Sequence, residues 1–126
     1  MKVLLIDDEE ELISTLAERL SFRGIDADWV TNGEEALKKV EARCYDLAVV
    51  DVRMPKMSGL ALKKIMAEEC PGLKFIFMTG HGSEDDYKKG TAEAGASYYL
   101  VKPVNIDLLI GKINEALREK ETGYEQ

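Results

Sequence analysis

Short unbroken apolar runs alternate along this chain with stretches whose apolar residues recur at helical spacing. Leu4-Leu5-Ile6 is the first run, in a strand predicted over residues 2–6. Leu12, Ile13, Leu16, Ala17 and Leu20 follow at helical spacing and predict the first helix. Gly24 ends it in the manner of a C′ glycine. The second strand, 25–30, has a different pattern: Ile25, Ala27 and Trp29 alternate with Asp26 and Asp28. Alternation predicts an edge strand with one wet face, whereas the continuous runs predict strands covered on both faces. A second helix over 33–42 turns Ala36, Leu37 and Val40 inward. The third strand is read over 44–50, followed by a loop over 51–58. The third helix starts at Ser58, its N-cap, and buries Leu60, Leu62, Ile65 and Met66.

Pro71-Gly72 leads into a fourth strand over 74–78. The fourth helix, 84–94, has the thinnest apolar face: Tyr87 is its largest apolar residue. Gly90 lies mid-helix, at a cost of ~1 kcal/mol relative to Ala. A fifth strand over 97–101 precedes a last helix capped by Asn105 and carrying Ile106, Leu109, Ile110, Ile113 and Leu117. Trp29, Tyr87 and Tyr98 read as packing residues, and Met54, Met57 and Met78 as core or loop filler. Leu108 lies off the main apolar face of the last helix.

Five successive βα units imply a doubly wound α/β fold, a five-stranded parallel sheet with five helices on its two faces. Ligands of such sheets bind outside the carboxyl ends of the strands. Polar residues stand at those ends here: Asp7-Asp8 after the first strand, Asp51 after the third, Thr79 after the fourth and Lys102-Pro103 after the fifth.

Three carboxylates brought close together repel, and without a counter-charge at least one has a raised pKa. A hard cation resolves the conflict, and Mg²⁺ takes a few carboxylates together with waters and phosphate oxygens. A carboxylate such as Asp51 can attack phosphorus to give an aspartyl phosphate. Catalysis of that transfer is mostly positioning and charge neutralisation, for which Lys102 supplies a cation and Thr79 a donor. Read singly, the same residues have plainer roles. Asp8 is equally an N-cap, with Glu9, Glu10 and Glu11 complementing the helix dipole. Thr79 alone is a turn residue, Lys102 alone a solvated lysine, and Pro103 alone a trans proline. A cis Lys102–Pro103 bond would aim the ammonium over the site.

The chain of 126 residues is 45% hydrophobic, which suits one domain. Its net charge of −7 argues against direct nucleic-acid binding, since phosphate contacts need a basic face. No apolar run approaches the ~20 residues of a membrane helix. The first strand begins so early that no signal peptide is expected. Cys44 and Cys70 are expected as free thiols of a cytoplasmic protein.

Four pieces in order, LLIDDEE, VVDVRMPKMSGL, FMTGHG and YYLVKPV, make the chain resemble a bacterial response-regulator receiver domain of the chemotaxis type. The FMTGHGS loop is also similar to receivers of the nitrogen-regulator class. The resemblance covers residues 1–119 as one receiver domain and leaves 120–126 as a polar tail or linker stub. It implies a flavodoxin-like sheet in the order 2-1-3-4-5. It also implies Asp51 as phosphoacceptor and Mg²⁺ (or Mn²⁺) on Asp8, Asp51 and the Arg53 carbonyl, with Asp7 acting through water. Thr79 and Lys102 would bind the phosphoryl oxygens, and Tyr99 would be the aromatic that swings inward. Gly59 would end the Asp51 loop, and Gly80 would keep the phosphoryl group accessible. The side chains of Arg53 and His81 either tune phosphoryl lifetime or are inert loop residues.

The implied partners are a sensor histidine kinase or phosphotransfer protein and a downstream effector or output domain. A small phosphodonor could replace the kinase. The output surface would comprise the fourth helix, fifth strand and last helix, in a monomer or a phosphorylation-dependent dimer. Such a module is a switch with self-phosphorylation and autodephosphorylation, not a turnover enzyme.

The other readings are a receiver fragment of a larger transcriptional regulator, an Asp-nucleophile Mg²⁺-dependent phosphatase, a flavin or nucleotide carrier and a receiver that is not phosphorylated. Arg53 stands where such phosphatases have a second aspartate. The acidic run after the first strand would repel a nucleotide phosphate.

Overall fold

The computed structural model describes residues 2–80 and 99–122, with 119–122 described by backbone alone. Strands β1 (Lys2–Ile6), β2 (Asp26–Val30), β3 (Leu47–Asp51), β4 (Lys74–Thr79) and β5 (Tyr99–Val101) form one sheet in the order β2-β1-β3-β4-β5. All pairings are parallel. Helices α1 (Glu10–Phe22), α2 (Gly33–Ala42), α3 (Gly59–Glu69) and α4 (Ile106–Thr122) flank it. This is the expected doubly wound order. The helix expected over 84–94, with Tyr87, Gly90, Tyr98 and the loop residue His81, lies outside the described residues.

Successive side chains of a strand point to opposite faces, so the unbroken runs feed two separate cores. Leu4, Ile6, Ala48, Val50 and Phe77 pack with Ala36 and Val40 of α2 and Leu62 and Met66 of α3. Val3, Leu5, Leu47, Val49, Ile76 and Met78 pack with Ile13, Leu16 and Leu20 of α1 and Leu109 and Ile113 of α4.

Helix starts follow side-chain chemistry. Ser58 Oγ accepts from Ala61 N at 3.1 Å and Asn105 Oδ1 from Leu108 N at 3.0 Å, as the sequence predicts. Asn32 caps α2 by accepting from Glu35 N at 2.8 Å, a role its sequence context left unread. Gly24 has φ of +81°, the left-handed conformation that ends α1.

Several expectations are corrected. β3 starts at Leu47, not residue 44, because Tyr45 and Asp46 make other contacts. Tyr45 is buried and donates its hydroxyl to Asp28 at 2.6 Å, while Asp46 N donates to Lys2 O. β4 continues through Thr79. Trp29 is not a packing residue. It is 37% exposed near the carboxyl end of the edge strand, where it lines a groove with Glu10, Thr31 and Glu35. Ile65 is 38% exposed, because α3 turns the line Gly59, Leu62 and Met66 toward the sheet and leaves Ile65 on its flank.

The cysteines are not free: Cys44 and Cys70 form a disulfide. Their separation of 26 residues is misleading. A right-handed β–α crossover returns α3 to the end of the sheet where β3 began, leaving the two Cα atoms 5.8 Å apart.

Candidate functional site

The parallel register brings the strand ends to one level. Ile6 pairs with Val50, Asp51 with Met78 and Thr79 with Val101. Hydrogen bonds just past the strands extend this order: Asp7 N donates to Val30 O, Val52 N to Met78 O and Lys102 N to Thr79 O. Asp7, Asp51, Thr79 and Lys102 are therefore placed by the sheet itself.

Asp7 is fully buried. Its Oδ1 accepts from Glu9 N at 2.9 Å, and its Oδ2 lies 2.7 Å from Lys102 Nζ. Asp51 is nearly as buried; its Oδ1 accepts from Arg53 N at 3.3 Å and its Oδ2 is 3.4 Å from Lys102 Nζ. Asp8 is exposed and completes an acidic trio in which Asp7, Asp8 and Asp51 each place a carboxylate oxygen within 4.8 Å of the others. Asp8 does not cap α1, whose N-cap residue is Glu9, with no side-chain capping bond. Thr79 is buried, and its hydroxyl has no hydrogen-bond partner among the described residues. An orphaned buried hydroxyl is unusual.

Lys102 also reaches Glu9 Oε1 at 3.0 Å, so its ammonium is shared among Asp7, Glu9 and Asp51. The Lys102–Pro103 bond is cis. Sequence reasoning assigned Glu9 only to the helix dipole. Its pairing with a residue 93 positions away has no local signal.

The loop after Asp51 is folded tightly. Gly59 N donates to Val52 O at 2.8 Å, and a Cβ at Gly59 would collide with the Asp51 carbonyl oxygen. That close approach is what requires glycine there. Lys56 holds φ of 71°, a left-handed conformation that a lysine rarely adopts. Tyr99 is inward, 6% exposed, with its ring 6.2 Å from that of Phe77. A Cβ at Gly80 would meet nothing within 4 Å among the described residues.

Burial and like charge dominate the electrostatics. Asp51 is pushed up to about 6, first by burial and then by the charge of Asp7, against the pull of Lys102 and the Arg53 N–H. Burial also raises Asp7, more than Lys102 and the Glu9 N–H lower it. Burial would lower the Lys102 ammonium, but its bonds to Asp7 and Glu9 and the charge of Asp51 raise it instead. Among the described residues, the pocket thus holds more negative charge than Lys102 satisfies. Among the described residues, this trio suits a hard divalent cation, which favours oxygen ligands.

Fold and pocket define a class: a doubly wound module with an acidic, lysine-braced site at its strand ends. The chain belongs to the response regulator receiver domain family, whose model matches residues 3–114. It is 36% identical over 126 residues, all of this chain and 55% of the relative, to the two-component response regulator PhoP of Pseudomonas aeruginosa. The chain spans about half the length of this and other curated relatives it matches. A CheY-like receiver domain protein from Methanospirillum hungatei superposes with a TM-score of 0.86 at 32% identity, covering 97% of each chain. A response regulator from Burkholderia pseudomallei, solved with a phosphorylated aspartic acid, calcium ion and citrate, gives 0.79 at 29% identity, covering 99% of this chain and 74% of that one.

Proposed function

We propose that this chain is a phosphorylatable switch in which Asp51 accepts a phosphoryl group from a sensor histidine kinase, a phosphotransfer protein or a small phosphodonor. One observation carries the reading: two buried carboxylates, Asp7 and Asp51, converge with the Lys102 ammonium at the strand ends. The phosphorylated aspartic acid and calcium ion of the Burkholderia relative support it.

Asp51 Oδ2 attacks phosphorus as the bond from phosphorus to the donor's nitrogen or oxygen breaks, leaving an aspartyl phosphate. Asp8, Asp51 and the Arg53 carbonyl would hold Mg²⁺ (or Mn²⁺), with Asp7 acting through water. The metal when bound neutralises phosphoryl charge. Lys102 exchanges part of its contact with Asp7 and Glu9 for a phosphoryl oxygen. The buried Thr79 hydroxyl donates to another. Tyr99, packed inward beside Phe77, senses the movement of Thr79. Arg53 and His81 set the lifetime of the phosphoryl group.

The readout surface includes β5 and α4, where Val101 and Leu108 are exposed, together with the helix expected over 84–94. The partner is an effector protein or an output domain, as in the transcriptional regulators among the relatives. The module works in the cytoplasm, as a monomer or a phosphorylation-dependent dimer; no described helix is long and apolar enough to cross a membrane. The phosphatase reading loses ground because Arg53 occupies the position of its second aspartate.

Incubation with Mg²⁺ and acetyl phosphate followed by intact mass spectrometry tests the reading. One phosphoryl adduct is expected, absent in Asp51→Asn. An unmodified parent protein across donors and Mg²⁺ concentrations would defeat it.

A further inference from the structure

We propose that Cys44 and Cys70 form a reversible thiol–disulfide couple, open to small thiols and dithiols, that clamps the Asp51-bearing β3–α3 unit when oxidised. The inference rests on this pairing and is independent of the phosphorylation reading.

The bridge closes a ring that contains all of β3, the Asp51 loop and α3. Its pole at Cys44 and Cys70 joins the approach to β3 with the end of α3. Its other pole is the loop closed by the Gly59 N to Val52 O hydrogen bond. Cys70 is the C-cap of α3: its N–H donates to Met66 O at 2.9 Å and its carbonyl accepts from Leu73 N at 3.0 Å. The oxidised pair therefore fixes the last turn of α3 against the start of β3. The Cα separation of 5.8 Å lies inside the range of about 4.4–6.8 Å that a disulfide spans.

The two sulfurs are unequally placed. Cys44 is exposed, whereas Cys70 is 2% exposed in the core between α3 and the sheet. The exposed Cys44 sulfur is the one an external thiol can reach, and exposed bridges are the labile ones.

An external thiolate attacks the Cys44 sulfur and the S–S bond breaks. Its electron pair leaves on Cys70, which takes up a proton. A second external thiolate, or the other arm of a dithiol, attacks the mixed disulfide and releases Cys44, which is protonated in turn. Two external thiols become one disulfide, and the protein gains two electrons and two protons. Oxidised glutathione or an oxidised dithiol reverses the exchange.

The test uses the full chain, equilibrated over a series of reduced-to-oxidised glutathione and dithiothreitol ratios, acid-quenched, alkylated and weighed intact. A transition between dialkylated and unalkylated protein is expected within the series. The oxidised form should melt ~10 °C higher, given the length of chain enclosed. Amide exchange in the last turn of α3 should accelerate on the order of tenfold on reduction. Cys44→Ser, at an exposed position, keeps the fold and should melt identically under reducing and oxidising conditions. Both thiols alkylated at every ratio would overturn the proposal. So would a bond that survives excess dithiothreitol in the folded protein, or equal melting temperatures for the two forms.

Discussion

Asp51 is held where its own charge is disfavoured. Burial and Asp7 raise its pKa from 3.8 to about 6, so the native state binds a proton more tightly than the unfolded chain. The stabilisation from that proton is complete below the unfolded value of 3.8 and is lost as pH rises through about 6. Above that pH, in the absence of divalent cations, the ionised carboxylate costs on the order of 2–3 kcal/mol. Lys102 is raised, so its ion pairs persist across this window and do not alter the sign. Asp51→Asn should therefore melt about 5–10 °C above the parent at pH 7.5 in EDTA, with the gap closing by pH 4. Thermal melts followed by circular dichroism check this, and a gap that is absent, or widest in acid, contradicts it. Asp7, Asp8, Asp51, Thr79 and Lys102 were legible in the sequence because each follows an apolar run that a parallel sheet ends at one level. The Glu9 to Lys102 contact was not, because only the folded topology brings together residues 93 positions apart.

Elements were readable where one face decides their packing and less so at their flanks. The periodic residues of α1 and α2 lie inward as expected, and the unbroken runs of β1, β3 and β4 are covered on both sides. Ile65 and Trp29 fit the same patterns and yet are more than a third exposed, since the helix flank and the edge-strand end they occupy lie outside both cores. The cysteine pairing was hidden for a related reason: spacing along the chain carries no record of the crossover that closes it. Helix α4 offers a sharp contrast between neighbours. Leu109 is fully buried against α1 and the sheet, while Leu108 is 53% exposed. Leu109→Ala should cost about 2–5 kcal/mol by urea denaturation, the range for a buried leucine whose cavity only partly relaxes. Leu108→Ala should stay within about 0.5 kcal/mol. Equal losses would mean that α4 is seated differently on the sheet.

At the scale of the whole molecule, a net charge of −7 and a pocket of three carboxylates make cations a stabilising influence by two separable routes. Any salt screens the surface charge. A divalent cation held by Asp8 and Asp51, with Asp7 acting through water, would bind the native state alone and contribute about 2.7 kcal/mol at a hundredfold excess over its Kd. That gain corresponds to ~10 °C in Tm for a domain of this size. Mg²⁺ should produce it at pH 7.5, and sodium chloride at matched ionic strength should not. Protons compete with the metal for Asp51, so the Mg²⁺ response should weaken between pH 7.5 and pH 5. Asp8→Ala removes the exposed ligand without opening the core and should lose most of the response. Asp51→Asn has already relieved the repulsion that the cation neutralises, so it should gain less from Mg²⁺ than the parent does. If sodium chloride matched the Mg²⁺ shift, or Asp8→Ala kept it whole, the stabilisation would be diffuse screening of the acidic surface, and the trio would lose its assignment as a metal site.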